Sequence, residues 1–259
     1  MPEVNNDLHG RLALITGASG GIGAAIARSL WSQGCDLALT YATNSESIRE
    51  LSVELLDIRR EGGALHSFHL DCTSLESISH LFAEIKSSYD GHPEGPDILV
   101  SNAGYGRRIP DIADITLEEF DHTINVNLRA AFVLSKLSIP WMKSRGWGRI
   151  VYVGSIAAQG GGINGCHYAA SKAGLQGLMR NLATKHAKDG ITVNDVAPAM
   201  IGNTGMIPDE KFVEGTPGDV KNIPVGRLGT PQEVANVVLM FCTTGYMTGQ
   251  SVLLSGGLK

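Results

Sequence analysis

Seven short apolar runs, each followed by a longer amphipathic or glycine-bounded stretch, constrain this chain more than any other feature. The runs are RLALIT (11–16), DLALTY (36–41), ALHSFHL (64–70), DILVS (97–101), GRIVYVGS (148–155), ITVNDVA (191–197) and SVLLS (251–255). Their length and content suit strands buried on both faces. Between them lie segments of helical period at 24–34, 45–60, 74–89, 116–142, 167–188 and 230–242. Gly34 and the pair Gly62-Gly63 read as helix stops. Thr116-Leu-Glu-Glu119 and Thr230-Pro-Gln-Glu233 read as helix starts with capping-box spacing. Pro140 marks the last turns of the fourth helix, and Asn127 falls in its middle. Strand and helix alternating through short connections predict a mostly parallel sheet covered by helices on both sides. No linker, repeat or low-complexity segment interrupts the pattern, so residues 1–259 read as a single domain. The exception is 199–225, a long stretch of Gly, Pro and mixed charge. A loop of that length in a compact domain is usually functional, and it is expected to be a mobile flap over a pocket.

The first strand runs into Gly17-Ala-Ser19-Gly20-Gly21-Ile22-Gly23 and then a helix. Glycines let backbone approach a pyrophosphate, and the helix start offers free N–H groups and a positive dipole end. The spacing is neither G-x-G-x-x-G nor a Walker A loop. The same residues satisfy G-x-S-x-G, the nucleophile elbow of hydrolases. An elbow needs several strands before it, however, and only one precedes Ser19. The end of the second strand bears on the cofactor. An acid there would bond ribose hydroxyls and repel a 2′-phosphate. The chain instead reads Tyr41-Ala42-Thr43-Asn44, and Asp36 lies at the wrong end of the strand. Hydroxyl and amide donors favour NADPH over NADH. Asp71 either accepts from an adenine amine, with Cys72 packing beside the ring, or serves as an acid at a helix start. Asn102-Ala103-Gly104 lets backbone come close to the cofactor or is an ordinary turn.

Ser155 to Lys172 carries the reactive residue types. Tyr168 and Lys172 are four apart, so a helix puts them on one face. A phenol titrates near ~10, and a neighbouring ammonium is expected to lower that value. Ser155 ends a strand and adds a hydroxyl for the same substrate oxygen. Cys166 reads as pocket wall and His167 as a surface residue at a helix start. Arg107-Arg108 reads as a solvated pair, with an acidic substrate or carrier as its alternative. Tyr105 and Trp147 read as packing or pocket rim. Met200 and Met206 suit an adaptable apolar lid.

A net charge of −5 with no long basic run argues against nucleic acid and anionic membranes as partners. The apolar runs stop well before the ~18 residues of a membrane span. The polar start MPEVNNDLHGR lacks an apolar signal region, and the four cysteines are far apart with no CxxC pair. These features predict a cytoplasmic protein without a disulfide framework or a metal site.

Together the glycine turn, Asn102-Ala103-Gly104, Asn127, Ser155 thirteen residues before Tyr168, Lys172 and the tail GRLGTPQEVA…TGQSVLLSGG resemble the short-chain dehydrogenase/reductase family over essentially the whole chain. Within it the chain looks most like 3-oxoacyl-carrier-protein reductases and fungal carbonyl or polyhydroxynaphthalene reductases. The resemblance implies a single-domain Rossmann-type doubly wound parallel sheet of about seven strands. It implies hydride transfer between NADP(H) and a ketone or acyl thioester, with Tyr168 as acid, Ser155 bonding the carbonyl oxygen, Lys172 also holding the nicotinamide ribose, and Asn127 anchoring a water. It places Pro198, Ile201 and Thr204 by the nicotinamide and implies a homotetramer. One departure stands out: Ala199 follows Pro198 where the family usually has glycine, and the segment before Thr204 is one residue longer. Which hydroxyl holds the carboxamide stays open at this point. The competing readings are an alcohol dehydrogenase running oxidatively, a nucleotide-binding scaffold without chemistry, and a serine hydrolase on Ser19.

Overall fold

The computed structural model describes residues 5–58, 63–92, 94–160 and 163–259. Seven strands form one parallel sheet: β1 Leu12–Ile15, β2 Asp36–Tyr41, β3 Leu65–His69, β4 Ile98–Ser101, β5 Gly148–Val153, β6 Ile191–Pro198 and β7 Ser251–Leu254. Their order is β3-β2-β1-β4-β5-β6-β7. The chain therefore winds outward from β1, returns, and winds the other way from β4. The carboxyl ends of β1 and β4 meet where the order reverses, the point at which open α/β sheets bind ligands.

Helices α1 Gly21–Ser32, α2 Ser45–Asp57 and α7 Pro231–Thr243 cover one face, and α3 Leu75–Ser88, α5 Ala130–Arg145 and α6 Cys166–His186 cover the other. Strand side chains alternate between faces. Ala13 and Ile15 pack with Ile26, Leu51 and Val238, whereas Leu12 and Leu14 pack with Leu81, Leu134 and Met179. Near-continuous apolar strands are thus what a sheet buried on both faces requires.

Most expected boundaries hold within a few residues. Thr230 closes a full capping box with Glu233, and Pro231 takes the first helical position. Helix α1 begins three residues earlier than expected, at Gly21. Helix α2 ends at Asp57, short of the expected residue 60, and the expected stop at Gly62 lies outside the described residues. The fourth helix is not continuous. Short helix α4, Leu117–Ile124, passes into a π-helical turn over Asn125–Arg129 before α5. Helix α5 contains Pro140 and runs on to Arg145, where Gly146 caps it at φ 62°. The 199–225 segment folds back on the body through 3-10 turns at Glu210–Val213 and Val220–Asn222, burying Ile207, Val213 and Ile223.

Candidate active site at the carboxyl ends of the strands

The end of β5 and the first turns of α6 bring three of the expected residues together. Ser155 follows β5 and caps the 3-10 turn Ile156–Ala158, its Oγ accepting from Ala157 N at 3.1 Å. Helix α6 presents Tyr168 and Lys172 from successive turns, both buried. Lys172 Nζ donates to Val153 O at 2.8 Å and lies 5.7 Å from the centre of the Tyr168 ring. Burial pushes the Tyr168 phenol above its ordinary value, while the Ser155 hydroxyl pulls it down. This corrects the expectation that the lysine would dominate: at that separation, with its ammonium directed at a carbonyl, desolvation of the phenolate wins. The phenol is therefore held in its protonated form, that of a proton donor. Burial brings Lys172 down to about 8, and the charge of Asp195 works to raise it.

Asp195 was not among the expected site residues. It stands in the middle of β6, fully buried, accepts a hydrogen bond from Ser251, and keeps Oδ2 without a hydrogen-bond partner. Gly154 is required beside it, since a Cβ there would lie 2.0 Å from Asp195 Oδ2. A charged residue inside a fully buried strand was the signal available in the sequence.

Asn127 sits inside the π turn. Its Oδ1 accepts from Tyr105 N at 2.7 Å, and its Nδ2 donates to Tyr105 O at 2.8 Å and to Ser171 Oγ at 3.0 Å. The amide thus ties the segment after β4 to α6. A Cβ on Gly104 would lie 3.5 Å from Lys172 Nζ and 3.6 Å from Asn127 Oδ1. The helix is interrupted at Asn127 by a π turn that takes the local backbone out of the i→i−4 ladder. Asn125 accepts only from Arg129, at 3.4 Å.

At the switch point the glycine turn and Asn102-Ala103-Gly104 are knitted together. Thr16 Oγ1 accepts from Asn102 N at 3.0 Å and Ala103 N at 2.9 Å, and Asn102 Nδ2 donates to Gly17 O at 3.1 Å. Gly17 has φ 65°. A Cβ on Gly23 would lie 2.4 Å from Gly17 O, and one on Gly21 would lie 2.3 Å from Asn203 O of the flap. Helix α1 has Gly20 at its N-cap, with no side-chain cap and no acid in its first turn. Its first N–H groups are therefore left for an anion, with Ser19 and Ile22 alongside. This start suits a dinucleotide pyrophosphate. Ser19 thereby belongs to the phosphate turn, away from Ser155, Tyr168 and Lys172.

Beyond β2 the donors are fewer than expected. Ala42 and Thr43 are exposed. Asn44 caps α2, its Oδ1 accepting from Ser47 N at 3.0 Å, which leaves the amide nitrogen as its donor. Tyr41 stands edge-on to His69 with ring centres 5.8 Å apart. Asp71 Oδ1 accepts from Thr73 N at 2.8 Å and Thr73 Oγ1 at 2.7 Å, and these bonds hold its carboxyl below the usual range. The helix cap next to it is Ser74, so Asp71 is not the capping residue itself. Cys72 is mostly buried, its thiol pushed up to about 11 by desolvation.

One cavity of about 200 Å³ joins Ile22, Asn102 and Gly104 to Ser155, Tyr168, Lys172, Pro198, Ile201 and Thr204. Tyr41 to Asn44, Asp71 and Cys72 lie outside it, farther along the strand ends. Thr204 Oγ1 donates to Ile201 O at 3.1 Å and accepts from Ile207 N at 3.0 Å. Met200 and Asn203 adopt φ 51° and 55°, a conformation that costs non-glycine residues energy and that shapes the flap entrance. From the 199–225 segment, Met200, Met206 and Phe212 line the cavity.

Two expectations are corrected. Cys166 is exposed and does not line the cavity. His167 is neither a surface residue nor directed at a substrate: it is fully buried, with Nε2 3.7 Å from Glu119 Oε1. Arg107 and Arg108 are both exposed, as a solvated pair would be, but they differ in surroundings: Arg107 meets Glu119 at 3.4 Å while Arg108 lines the cavity. Trp147 is packing, donating to Asn5 O at 2.9 Å far from the site. Among the described residues no group of three His, Cys, Asp or Glu could hold a metal ion, and no helix is long and apolar enough to cross a membrane.

Known proteins resemble the chain over nearly its full length. A family model described as Enoyl-(Acyl carrier protein) reductase matches residues 17–259. A 3-oxoacyl-[acyl-carrier-protein] reductase of Rickettsia bellii is 38% identical over 258 residues, 97% of this chain and 98% of that protein. A short-chain dehydrogenase/reductase of Serratia marcescens superposes with a TM-score of 0.86 at 31% identity, covering 97% of this chain and 99% of that one. A Beutenbergia cavernae protein assigned as an NAD(P)-dependent gluconate 5-dehydrogenase, with NADP bound, superposes with a TM-score of 0.84 at 32% identity and 98% coverage of both.

Proposed function

Because the chain belongs to the short-chain dehydrogenase/reductase family, we propose that it is an NADPH-dependent reductase of ketones, with a 3-oxoacyl thioester or related carbonyl compound as substrate. NADPH supplies the hydride. The observation that carries the reading is the buried phenol of Tyr168, held protonated beside Ser155 at the wall of the cavity that the glycine turn opens into. Reduction leaves negative charge on the carbonyl oxygen, so the site must deliver a proton there. Tyr168 gives that proton, and Ser155 donates a hydrogen bond to the same oxygen. Lys172 stabilises the phenolate that remains and holds ribose hydroxyls. Asn127 keeps the lysine's surroundings in register through Tyr105 and Ser171.

The glycine turn, Asn102-Ala103-Gly104 and Pro198, Ile201 and Thr204 bind the pyrophosphate and nicotinamide ends of the cofactor. Tyr41 to Asn44, Asp71 and Cys72 receive its adenosine end. The hydroxyl and amide of Thr43 and Asn44, with no acid at the end of β2, support NADPH over NADH. The whole chain acts as one catalytic domain with 199–225 as its flap, in the cytoplasm and as a homotetramer. Tyr168→Phe tests the chemistry. Loss of the general acid should lower ketone reduction by about 10²–10⁴-fold, followed as NADPH absorbance, with NADPH binding retained by fluorescence titration. Near wild-type turnover in Tyr168→Phe would remove Tyr168 as the acid.

A further inference from the structure

The cavity has a marked chemical polarity. Ile156, Ile163, Met200, Met206, Ile207 and Phe212 give it an apolar wall. Its charged lining residues, among those described, are Lys172 and Arg108. Lys172 is buried and directed at Val153 O. Arg108 is different: it is exposed, lines the cavity and enters no ion pair among the described residues, although Arg107 beside it is matched with Glu119. The segment that carries Arg108 also runs along the phenol. A Cβ on Gly106 would lie 3.2 Å from Tyr168 Cε2 and 2.9 Å from Asn164 Nδ2. With consecutive Cα atoms about 3.8 Å apart, Arg108 branches from the backbone within about 8 Å of that contact.

We infer that Arg108 selects substrates, and that the cavity takes a small ketone whose apolar body ends in a carboxylate. The inference rests on the ketone-reductase reading and narrows it. At about 200 Å³ the cavity falls below the roughly 300–1,000 Å³ of sites for drug-sized ligands, and a nicotinamide must share it. The carrier of an acyl thioester bears its phosphate at the end of a long arm, outside such a space. A carboxylate a few bonds from the carbonyl falls within reach of Arg108. A guanidinium matches a carboxylate with two parallel hydrogen bonds, and its planar fork is arranged for this in advance. The chain as a whole carries a charge of −5, so its general field repels anions and the discrimination has to be local.

The test uses 4-oxopentanoate and 5-oxohexanoate against their methyl esters, with NADPH and the full chain. The expected result is a kcat/KM for each acid at least tenfold above its ester. In Arg108→Gln that ratio should collapse toward one, and Arg108→Lys should restore part of it. A residue that only supports the fold would lower acid and ester together and leave the ratio alone. If esters and acids are reduced equally and Arg108→Gln leaves their ratio unchanged, the inference is overturned while the reductase reading stands. If a carrier thioester is preferred with an acid-to-ester ratio of one, it is overturned in the same way. If the chain binds NADPH and reduces neither member of any pair nor a 3-oxoacyl thioester, the reductase reading fails and the inference falls with it.

Discussion

Tyr168 and Lys172 show how far a pair of residues can be read without their surroundings. Four-residue spacing on a helix places them on one face, and the structure does so. The spacing also suggests a phenol acidified by its neighbour, and there the surroundings reverse the sign. Burial of both groups penalises phenolate and ammonium alike, so the phenol rises and the lysine falls to about 8. The opposing influence on the lysine is Asp195, which faces Lys172 and Arg180 of α6, Ser251 of β7 and Gly154 after β5. If turnover needs the ammonium, it should fall as pH rises through about 8. Asp195→Asn removes the charge that raises Lys172, so this falling limb should move to lower pH in a kcat profile. An unmoved limb would detach Asp195 from the site. Nothing in ITVNDVA states that its aspartate lies behind Lys172. That follows from the pairing of β5 with β6 and the packing of α6 against them.

Helix starts are legible because caps are local. Thr116, Ser74 and Thr230 all accept from a backbone N–H three residues on, as their sequences suggest. At Thr230 the box is reinforced: Arg227 pairs with Glu233 at 2.7 Å, and this pair with the Thr230 bonds holds the Glu233 carboxyl down at about 2. Thr230→Ala should cost about 1 kcal/mol of stability, measurable as a lowered urea midpoint with unchanged slope. Because its value in the fold is depressed, the ionised Glu233 contributes fully above the ordinary value of 4.5 and is lost as pH falls through about 2. The π turn at Asn125–Arg129 is the opposite case. Apolar periodicity continues through it, and the register change is held by hydrogen bonds from Asn127 to Tyr105 and Ser171, partners 22 and 44 residues away. The Asn was a visible anomaly in a helix, whereas the form of the break depends on what the amide reaches.

For the molecule as a whole, the parallel sheet is the arrangement that alternating strands and helices dictate, but its strand order is a tertiary outcome. The return from β3 to β4 puts Thr16 against Asn102 and makes a binding crevice at that junction. The outer surface carries apolar side chains at the long helices and at the edge strand: Leu117, Phe120 and Phe132 along α4 and α5, and Leu253 on β7. An edge strand and an apolar helix face left exposed invite pairing. Light scattering should therefore give a mass near four times the 27.5 kDa of one chain. A monomer mass at micromolar concentration would overturn the tetramer.

The amino-acid sequence by itself determined the class of fold, the glycine turn, and the identity of Ser155, Tyr168 and Lys172, because each depends on residue type at short range. Apolar period, helix capping and i,i+4 spacing need no distant partner. Only the tertiary structure decided the protonation balance between phenol and ammonium, the aspartate behind the lysine, the burial of His167 and the parting of Arg107 from Arg108. Those depend on desolvation and on partners brought from other elements. Neighbouring arginines are alike as letters and differ once Glu119 claims one and the cavity receives the other.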